Sequence, residues 1–529
     1  MEKYFNIAGP CVPAKHYMIP ALERLPEVAR LIDREQSFVI HAARQSGKTT
    51  ALMALVRAIN DRGEKRAVYF TLEAAQRFPD PNQGLPRIAA AMRNGLLNHR
   101  VFGEWANALP VVEIAPGVPA PNMGLKVLLS ELAKTSDRPL VVLFDEVDCL
   151  SDDTLITFLR ELRDGIVSSR AVDPDSYFPF PVSVALVGMR DVRDYLAHVR
   201  PDSQSLGTAS PFNVKTESLS LANFTPEEVA SLYAQHTEET GQVFEADAVT
   251  RAWGLTRGQP WLVNAIARQC VEKLLKFDYA RPVTAALVEE AKEALVRERG
   301  THVDSLMERL KEPRVRRVVE PVILGRDFFF SDFDDDYRYA IDLGLLRENE
   351  NHALVPGNPM YAEIILRYLS ATEQKRFYND YRQPFWLKAD GTLDMGALMA
   401  GFQRFWRENS GADREVYGYR EATPHLVMCA FLQRVANGGG HIAREMALGS
   451  RRLDLCLEYK GGRYAIEVKT ADNFRDPDSY AQLAGYLDTL GLTEGWMAVF
   501  DTKSDKPWDE KLYNRDVGFN GKTLHIVGL

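Results

Sequence analysis

Short apolar runs alternate with longer amphipathic stretches over the first two hundred residues of the chain. Four of these runs, "SFVIHA", "RAVYFTL", "LVVLFDE" and "VSVALVG", are short and almost continuously apolar. Such runs are typical of strands that are buried on both faces of a parallel sheet. The stretches between them have a helical pattern. This rhythm predicts an α/β fold with a parallel sheet over residues 1–215.

The pattern changes several times further along the chain. Residues 216–300 are helical, and Thr225-Pro226-Glu227-Glu228 has the composition of a helix start. Short helices, a β-hairpin and a closing helix follow over 301–370, an order typical of a winged helix. Residues 371–410 form a connecting helical segment. The last stretch, 411–529, predicts a second α/β domain with a helix, a glycine-rich break, three strands and another helix.

Composition narrows the classes of protein that the chain could belong to. With 529 residues it is too long for a single core, and its net charge is −9. That charge argues against a general nucleic-acid coat protein, although a local basic groove remains compatible with it. The five cysteines form no C-x-x-C pair, which fits a reducing cytoplasm better than a disulfide framework or a zinc site. Neither a signal peptide nor a membrane span is expected.

The stretch "FVIHAARQSGKTTALMAL" reads as a strand, a loop and a helix that starts near Gly47-Lys48-Thr49. Such a loop can wrap backbone N–H groups around phosphate at a helix N-terminus, with a lysine for the β- and γ-phosphates and a hydroxyl for Mg²⁺. Ala42 stands where the pattern has its first glycine. A chance G-K-T at a helix start is the alternative. The predicted nucleotide-binding residues here are Ala42, Ala43, Arg44, Gln45, Ser46, Gly47, Lys48, Thr49 and Thr50.

Two acids follow the apolar run "PLVVLF" about a hundred residues later. Asp145 and Glu146 come at the carboxyl end of this predicted strand, the edge at which α/β sheets bind ligands. Asp145 is predicted to hold Mg²⁺ through water together with Thr49, and Glu146 to polarise the attacking water. A solvated strand end is the alternative, and the loop upstream disfavours it.

With these motifs, residues 5–370 resemble the AAA+/STAND-like P-loop ATPases. The resemblance implies ATP and Mg²⁺ as cofactors and the capacity to form a homo-oligomer. It also implies that "LTRGQPWLVNAIARQ" is a lid segment whose Pro260 lies near the adenine. The strand "VALVGMRDVRDY" matches the one that usually carries a sensor residue. Gly188, Met189 and Arg190 occupy that region.

Several arginines are candidates for contact with the γ-phosphate. Arg190 and Arg257 could reach it within one chain. Arg160, Arg163 and Arg170 could reach it across a ring. An exposed structural role is the alternative for Arg190 and for Arg257.

In the C-terminal stretch, "RRLDLCLEYKGGRYAIEVKT" reads as two strands joined by a Gly-Gly turn. Asp454 lies on the first strand, and Glu467 and Lys469 share one face of the second. Two acids on adjacent strands can hold a divalent cation, and a neighbouring lysine can orient water for phosphodiester hydrolysis. Hard oxygen ligands suit Mg²⁺ or Mn²⁺.

These residues resemble the PD-(D/E)XK nuclease superfamily over 411–529. The resemblance implies that Asp454, Glu467 and Glu421 are metal ligands and that Lys469 is catalytic. It also implies that Gln482 and Tyr486 form the Q-x-x-x-Y motif of RecB-type nucleases. An edge hairpin with solvated charges, or a nuclease fold kept only for docking, is the alternative.

The whole sequence therefore predicts a cytoplasmic ATPase fused to a metal-dependent nuclease, with nucleic acid, DNA above all, as its partner. Such fusions resemble bacterial mobile-element or defence ATPases. The alternative function is a STAND-like regulatory switch whose C-terminal fold binds a partner or DNA without cleaving it.

Overall fold

A computed structural model of the chain describes residues 2–111, 124–170, 178–189, 217–298, 301–323, 335–350, 352–377, 386–409, 428, 431–432, 440–448, 451–501 and 506–529. The described residues form two compact units. One comprises 1–309 with 330–361, and the other comprises 310–329 with 362–529. Across these ranges, no helix is long and apolar enough to cross a membrane.

A five-stranded parallel sheet is the centre of the first unit. Its order is β2-β3-β4-β1-β5, and every neighbouring pair is parallel. This confirms the predicted α/β parallel sheet, and the four apolar runs are its first four strands. The strands are β1 (Phe38–His41), β2 (Arg66–Thr71), β3 (Leu140–Asp145), β4 (Ser183–Gly188) and β5 (Glu217–Ser220).

Helices cover both faces of this sheet, as its continuous apolar strands require. Alternate residues of β3 point to opposite faces of the sheet. Val141 and Leu143 belong to one buried cluster, and Val142 and Phe144 belong to the other. All four are fully buried. The helices of this region are α1 (Pro26–Asp33), α2 (Lys48–Arg62), α3 (Pro81–Leu97), α4 (Leu125–Thr135) and α5 (Asp152–Ser169).

Four helices follow the sheet within 216–300, although this stretch, predicted to be helical, begins with strand β5. The first starts as the sequence indicates, with a capping box in which the Thr225 hydroxyl accepts from Glu228 N–H at 3.2 Å and Thr225 N–H donates to the Glu228 carboxylate at 2.7 Å. The helices are α6 (Pro226–Thr240), α7 (Ala246–Thr256), α8 (Pro260–Arg268) and α9 (Ala285–Glu298), and a π-helical turn, Gln269–Leu274, extends α8.

The segment predicted as a winged helix contains three helices, an antiparallel hairpin and a closing helix, in that order. Three unit boundaries fall inside it, between 309 and 310, between 329 and 330, and between 361 and 362. A winged helix formed as one domain over 301–370 therefore stays a prediction. The elements are α10 (Thr301–Arg309), α11 (Pro313–Ile323), α12 (Asp335–Asp342), β6 (Leu346–Glu348), β7 (Leu354–Pro356) and α13 (Pro359–Phe377).

A six-stranded mixed sheet organises the second unit, in the order β12-β13-β11-β10-β9-β8. Strands β8, β9 and β10 are antiparallel neighbours, and α15 then leads to β11, which is parallel to β10. The elements are α14 (Met395–Asn409), β8 (Gly440–Leu448), β9 (Arg451–Tyr459), β10 (Gly462–Thr470), α15 (Asp478–Leu490), β11 (Glu494–Phe500), α16 (Trp508–Lys511), β12 (Asn514–Phe519) and β13 (Lys522–Gly528).

The hairpin predicted over 451–470 is the pair β9 and β10. Its turn residues are Lys460 and Gly461, with φ values of 46° and 81°, one position earlier than the Gly-Gly pair that the sequence indicates. Two consecutive positive φ values are the geometry of a type I′ turn, which suits the twist of paired strands. The second glycine, Gly462, is the first residue of β10.

Helix α14 packs its aromatic side chains into the second unit. Phe402, Phe405 and Trp406 are at most 4% exposed. The Phe402 ring lies 5.0 Å from the ring of Phe431 and 6.0 Å from that of Phe500. The predicted helix before β8 lies outside the described residues except at 428 and 431–432. Glu421 and the first two glycines of the Gly438-Gly439-Gly440 break also lie outside them.

Candidate functional site

The loop between β1 and α2, predicted to bind phosphate, leads into the helix through a glycine in the left-handed region. Gly47 is the N-cap of α2 and has φ 90°, a value that strains any residue with a Cβ atom. Ala42 is not among the described residues with positive φ. An alanine is therefore acceptable where the motif has its first glycine, and the glycine that the backbone requires is Gly47.

Lys48 points back into this loop. Its Nζ atom donates to the carbonyl oxygens of Ala42 at 2.8 Å and Ala43 at 3.0 Å, and the residue is 8% exposed. Burial lowers the pKa of Lys48, and the carboxylates of Asp148 and Glu146, in that order, oppose the shift. These acids favour the charged ammonium, the form that can neutralise phosphate.

Asp145 connects the loop to the neighbouring strands. Its Oδ2 atom accepts from the Thr49 hydroxyl at 2.9 Å and from the Tyr69 hydroxyl at 3.0 Å. Its Oδ1 atom accepts from Glu146 N–H at 2.9 Å. These three bonds fix the orientation of a carboxylate that is 1% exposed. Thr49 and Asp145, predicted together as magnesium ligands, are thus brought into contact.

Glu146 is held in an unusual backbone conformation directly after β3. Its φ and ψ are 58° and 39°, in the left-handed region. Burial raises the pKa of its carboxyl, and the negative charges of Asp148 and then Asp145 raise it further. A carboxylate with a raised pKa is a better proton acceptor, which suits the predicted role in polarising water.

A cavity of about 780 Å³ joins these residues. This is within the size range of small-molecule and cofactor sites. Nine of the predicted residues line it, whereas Ala42, Ala43 and Ser46 do not. The nine are Arg44, Gln45, Gly47, Lys48, Thr49, Thr50, Asp145, Glu146 and Pro260.

Three arginines line the same cavity, and the sequence pointed to only one of them, Arg44. Arg24 donates to the carbonyl oxygens of Ser46 at 3.1 Å and Ala222, and burial lowers its pKa to about 10. Arg309, at the end of α10, is the third. Arg24 precedes β1 and Arg309 lies beyond the helical segment, so no local motif marks either one.

The start of α8 reaches both the loop and the N-terminal segment. Gln259 Nε2 donates to the Gln45 carbonyl at 3.4 Å, and Trp261 Nε1 donates to the Ile7 carbonyl at 2.8 Å. Pro260, predicted to lie near the adenine, is between them and lines the cavity. The segment predicted as a lid is therefore next to the loop between β1 and α2.

The predicted sensor residues lie at and just after the end of β4. Gly188 ends β4, and Met189 lines the cavity and donates its N–H to Asp148 Oδ1 at 3.1 Å. Arg190 lies outside the described residues. Arg257 stacks over the Trp253 ring at 5.0 Å and is not among the residues that line the cavity.

The candidate arginines for a contact across a ring are at or near α5. Arg160 and Arg163 are on the helix, and Arg170 follows it and donates to the Glu35 carbonyl at 2.9 Å. Their finger role stays a prediction.

In the second unit, four predicted residues form one chain of contacts between β10 and α15. Lys469 Nζ lies 2.8 Å from Glu467 Oε1 and donates to Gln482 Oε1 at 3.0 Å. Gln482 Nε2 in turn donates to the Tyr486 hydroxyl at 2.9 Å. Glu467 and Tyr486 are 1% and 2% exposed. The predicted residues of the strand and of the helix are therefore in contact.

The remaining predicted ligands of this second site are only partly described. Leu455 on β9 pairs with Ile466 on β10, so the next position along both strands is Asp454 beside Glu467. The Asp454 side chain and all of Glu421 lie outside the described residues. The described residues contain no group of three or more His, Cys, Asp or Glu side chains that could hold a metal ion. The metal site stays a prediction.

Comparison with known proteins gives partial backbone likenesses. No family model and no curated protein matches the chain. The Walker-type ATPase PABY2304 of Pyrococcus abyssi is similar over 68% of this chain and 99% of its own, with 13% identity and a TM-score of 0.46. Aeropyrum pernix ORC2 in its ADP form is similar over 67% and 93%, with 14% identity and a TM-score of 0.35. The Thermotoga maritima RuvB Holliday junction branch migration motor is similar over 63% and 90%, with 11% identity and a TM-score of 0.32.

Proposed function

We propose that the first unit binds ATP in the cavity beside β1 and β3 and hydrolyses it. The observation that carries this proposal is the contact of Thr49 with Asp145, next to a buried lysine and a loop whose glycine has positive φ. Lysine, hydroxyl and carboxylate are the groups that phosphoryl transfer from a nucleotide requires. Their meeting at the carboxyl ends of parallel strands is where such folds bind ligands.

The two hard oxygen atoms at this point fit Mg²⁺. The Thr49 hydroxyl and the Asp145 carboxylate are 2.9 Å apart and both residues line the cavity, so they would hold the ion, Asp145 through water. A bound Mg²⁺ supplies charge neutralisation for the phosphates. Tyr69 has a positioning role, since its hydroxyl bond fixes the Asp145 carboxylate.

The chain's own residues divide the remaining tasks. Lys48 provides positive charge at the β- and γ-phosphates. Arg44 and Arg24 add cationic charge at the same loop. Glu146 orients a water molecule and accepts its proton as the bond from water to the γ-phosphorus forms and the bond to the leaving ADP oxygen breaks. The negative neighbours of Glu146 strengthen it as a base.

Hydrolysis by purified variants tests this proposal. Lys48→Ala should lower the rate at least about 100-fold, because the phosphates lose their main counter-ion. Glu146→Gln should retain ATP binding and lose about 100-fold or more in rate. Glu64→Gln, at an exposed glutamate paired with Arg62, is the matched control and should hydrolyse ATP at the wild-type rate. A Glu146→Gln variant with the wild-type rate would show that another group activates the water.

We further propose that the second unit is a metal-dependent nuclease of the PD-(D/E)XK type, acting on DNA, and that nucleotide state controls it. Two observations favour this: the contacts that link Glu467, Lys469, Gln482 and Tyr486, and the order of three antiparallel strands, a helix and a parallel strand. The Glu467 carboxylate, together with Asp454 and Glu421, would hold Mg²⁺ or Mn²⁺. Such an ion acidifies water and stabilises the developing phosphate charge.

Plasmid cleavage with Mg²⁺ or Mn²⁺, in the presence and absence of ATP, tests this second proposal. Glu467→Gln should abolish cleavage while ATP hydrolysis stays at the wild-type rate. Glu458→Gln is the matched control, because Glu458 lies on the adjacent strand and pairs with Arg463 at the surface. If the wild type cleaves neither DNA nor RNA under any condition but still binds DNA or a protein partner, the regulatory switch without cleavage is the better account.

A further inference from the structure

Arg24 joins the loop before α2 to a distant part of the chain. It is the last residue of a 3-10 turn that precedes α1. Its Nη2 atom donates to the Ser46 carbonyl at 3.1 Å and also to the Ala222 carbonyl, and its Nε atom donates to Ala222 at 3.1 Å. Ser46 is the residue before Gly47, and Ala222 lies between β5 and α6. One guanidinium therefore holds the carbonyls of two separate segments.

Further contacts lead from the segment after β5 back to the same loop. The Arg24 guanidinium lies over the Phe224 ring, 4.9 Å from its centroid. Phe224 N–H donates to the Gly258 carbonyl at 2.8 Å, and the next residue, Gln259, donates to the Gln45 carbonyl. Gly258 has φ 71°, and a Cβ atom on it would clash with the Phe224 carbonyl. The loop, Arg24, the segment after β5 and the start of α8 are therefore linked in a closed series of contacts.

The bond to Ser46 restrains the peptide that enters Gly47. Glycine adopts many backbone conformations, so a peptide next to it rotates at low cost unless another group holds it. Gly47 has φ 90°, and a Cβ atom on it would lie 3.3 Å from Arg24 Nη1. In this arrangement of the loop, the Thr49 hydroxyl is already in contact with Asp145. Arg24 thus stabilises the loop in the form that brings these two groups together.

We propose that Arg24 is a positioning residue for nucleotide binding, which keeps the Ser46–Gly47 peptide in one orientation and joins the loop to the helices that follow the sheet. This inference rests on the proposed ATP-binding function and names a residue on which that binding depends. Without Arg24, only a fraction of the molecules holds the loop ready for phosphate, and the apparent affinity falls by that fraction. A guanidinium suits the role because its planar fork donates to two carbonyls at once, a geometry that the single ammonium of lysine does not reproduce.

Calorimetry on the full chain tests the proposal with ATP and ADP as probes. Arg24→Met keeps the aliphatic part of the side chain and removes every donor, whereas Arg24→Lys keeps the positive charge and removes the fork. Both nucleotides should bind at least about tenfold more weakly to Arg24→Met, the change expected from losing a hydrogen bond with a charged donor, and at least about threefold more weakly to Arg24→Lys. ATP and ADP should lose affinity by the same factor, because the loop binds the phosphates that they share.

The rate of hydrolysis separates positioning from direct action on the reacting phosphate. At saturating ATP the bound phosphates themselves order the loop, so kcat of both variants should stay within about twofold of the wild type while KM rises. A residue that touches the γ-phosphate in the transition state would lower kcat instead. A loss in kcat as large as the loss in affinity would overturn the positioning role.

Arg30→Met is the matched control. Arg30 is on α1, a few residues after Arg24, and its Nη2 atom donates to the two carboxylate oxygens of Glu217 on β5 at 3.0 and 3.1 Å. The residue is exposed and is not among those that line the cavity. This variant should bind both nucleotides as the wild type does. A loss equal to that in Arg24→Met would overturn the proposal, because any arginine near β5 would then have the same effect.

The outcomes separate this inference from the function on which it rests. If the wild type binds both nucleotides and Arg24→Lys binds them equally well, charge alone is sufficient and the positioning role is refuted. Unchanged affinity in Arg24→Met, with only a lower melting temperature, would make Arg24 a structural residue without a role in binding. If the wild type binds neither nucleotide, both proposals fail. If Arg24→Met does not fold, Arg24→Lys decides, because it retains the charge beside the two carbonyls.

Discussion

A fragment that begins at residue 411 lacks α14, the helix whose aromatic side chains fill part of the core of the second unit. We predict that residues 386–529 fold as a stable fragment and that residues 411–529 do not. Both fragments contain the whole described sheet. They differ by the helix and by the turn before it, in which Leu387 pairs with Leu393.

The expected loss can be worked out from single contacts. Phe402 is fully buried against Phe431 and Phe500, and replacing such a ring with alanine costs about 3–5 kcal/mol. Gln403 Nε2 also donates to the carbonyls of Tyr513 at 3.2 Å and Gly528 at 2.9 Å, at about 1 kcal/mol each. Removing the helix deletes all of these contacts and exposes their partners. Domains of this size have only about 5–15 kcal/mol of stability.

Urea denaturation followed by far-ultraviolet circular dichroism measures the difference. The longer fragment should unfold in one cooperative transition, and Phe402→Ala within it should lower the free energy of unfolding by about 3–5 kcal/mol. The shorter fragment should show no cooperative transition. If 411–529 unfolds cooperatively with the same free energy as 386–529, α14 is not part of this core and the reasoning is wrong.

Three further changes have defined outcomes. Tyr69→Phe removes one of two hydroxyl bonds to Asp145 Oδ2 and should lower ATP hydrolysis a few-fold while thermal stability stays within about 1 kcal/mol of wild type. Burial lowers the pKa of His302 to about 4, so the unfolded chain binds a proton first as pH falls. The free energy of unfolding should therefore drop by at most about 3 kcal/mol between pH 6.5 and 4. In thermal melts, His302→Gln should show a flatter dependence of stability on pH than the wild type. Lys469→Met leaves the buried Glu467 carboxylate without its ammonium partner and should destabilise the protein by about 3–5 kcal/mol in EDTA; an unchanged melting temperature would mean that the pair contributes nothing.

Local patterns were sufficient for the elements whose cause is local. The strands β1 to β4 are apolar except at their ends, and the capping box at Thr225 is formed by four adjacent residues. The edge strand β5 (Glu217–Ser220) has side chains that are alternately half-buried and exposed. It is a strand because its backbone pairs with β1. No apolar run marks such a strand.

Some residues of the candidate site could be predicted from a local motif, and others could not. The loop around Lys48 and the pair at Asp145 have motifs because each needs several neighbouring residues in one short stretch. Arg24 and Arg309 reach the cavity only because separate elements pack beside it. That packing depends on contacts between residues tens to hundreds of positions apart, and a single sequence does not encode them in any local pattern.

The left-handed backbone at Glu146 bears on the evolutionary fate of this site. A non-glycine residue in that region costs about 1–2 kcal/mol, and glycine relieves the cost, while asparagine tolerates the conformation better than glutamate does. Any lineage that stops hydrolysing ATP would therefore gain stability by drifting to glycine or asparagine at this position. Glutamate would persist only where turnover is still under selection. If the proposed ATPase function holds, the residue at this single position distinguishes relatives that hydrolyse ATP from relatives that have lost hydrolysis.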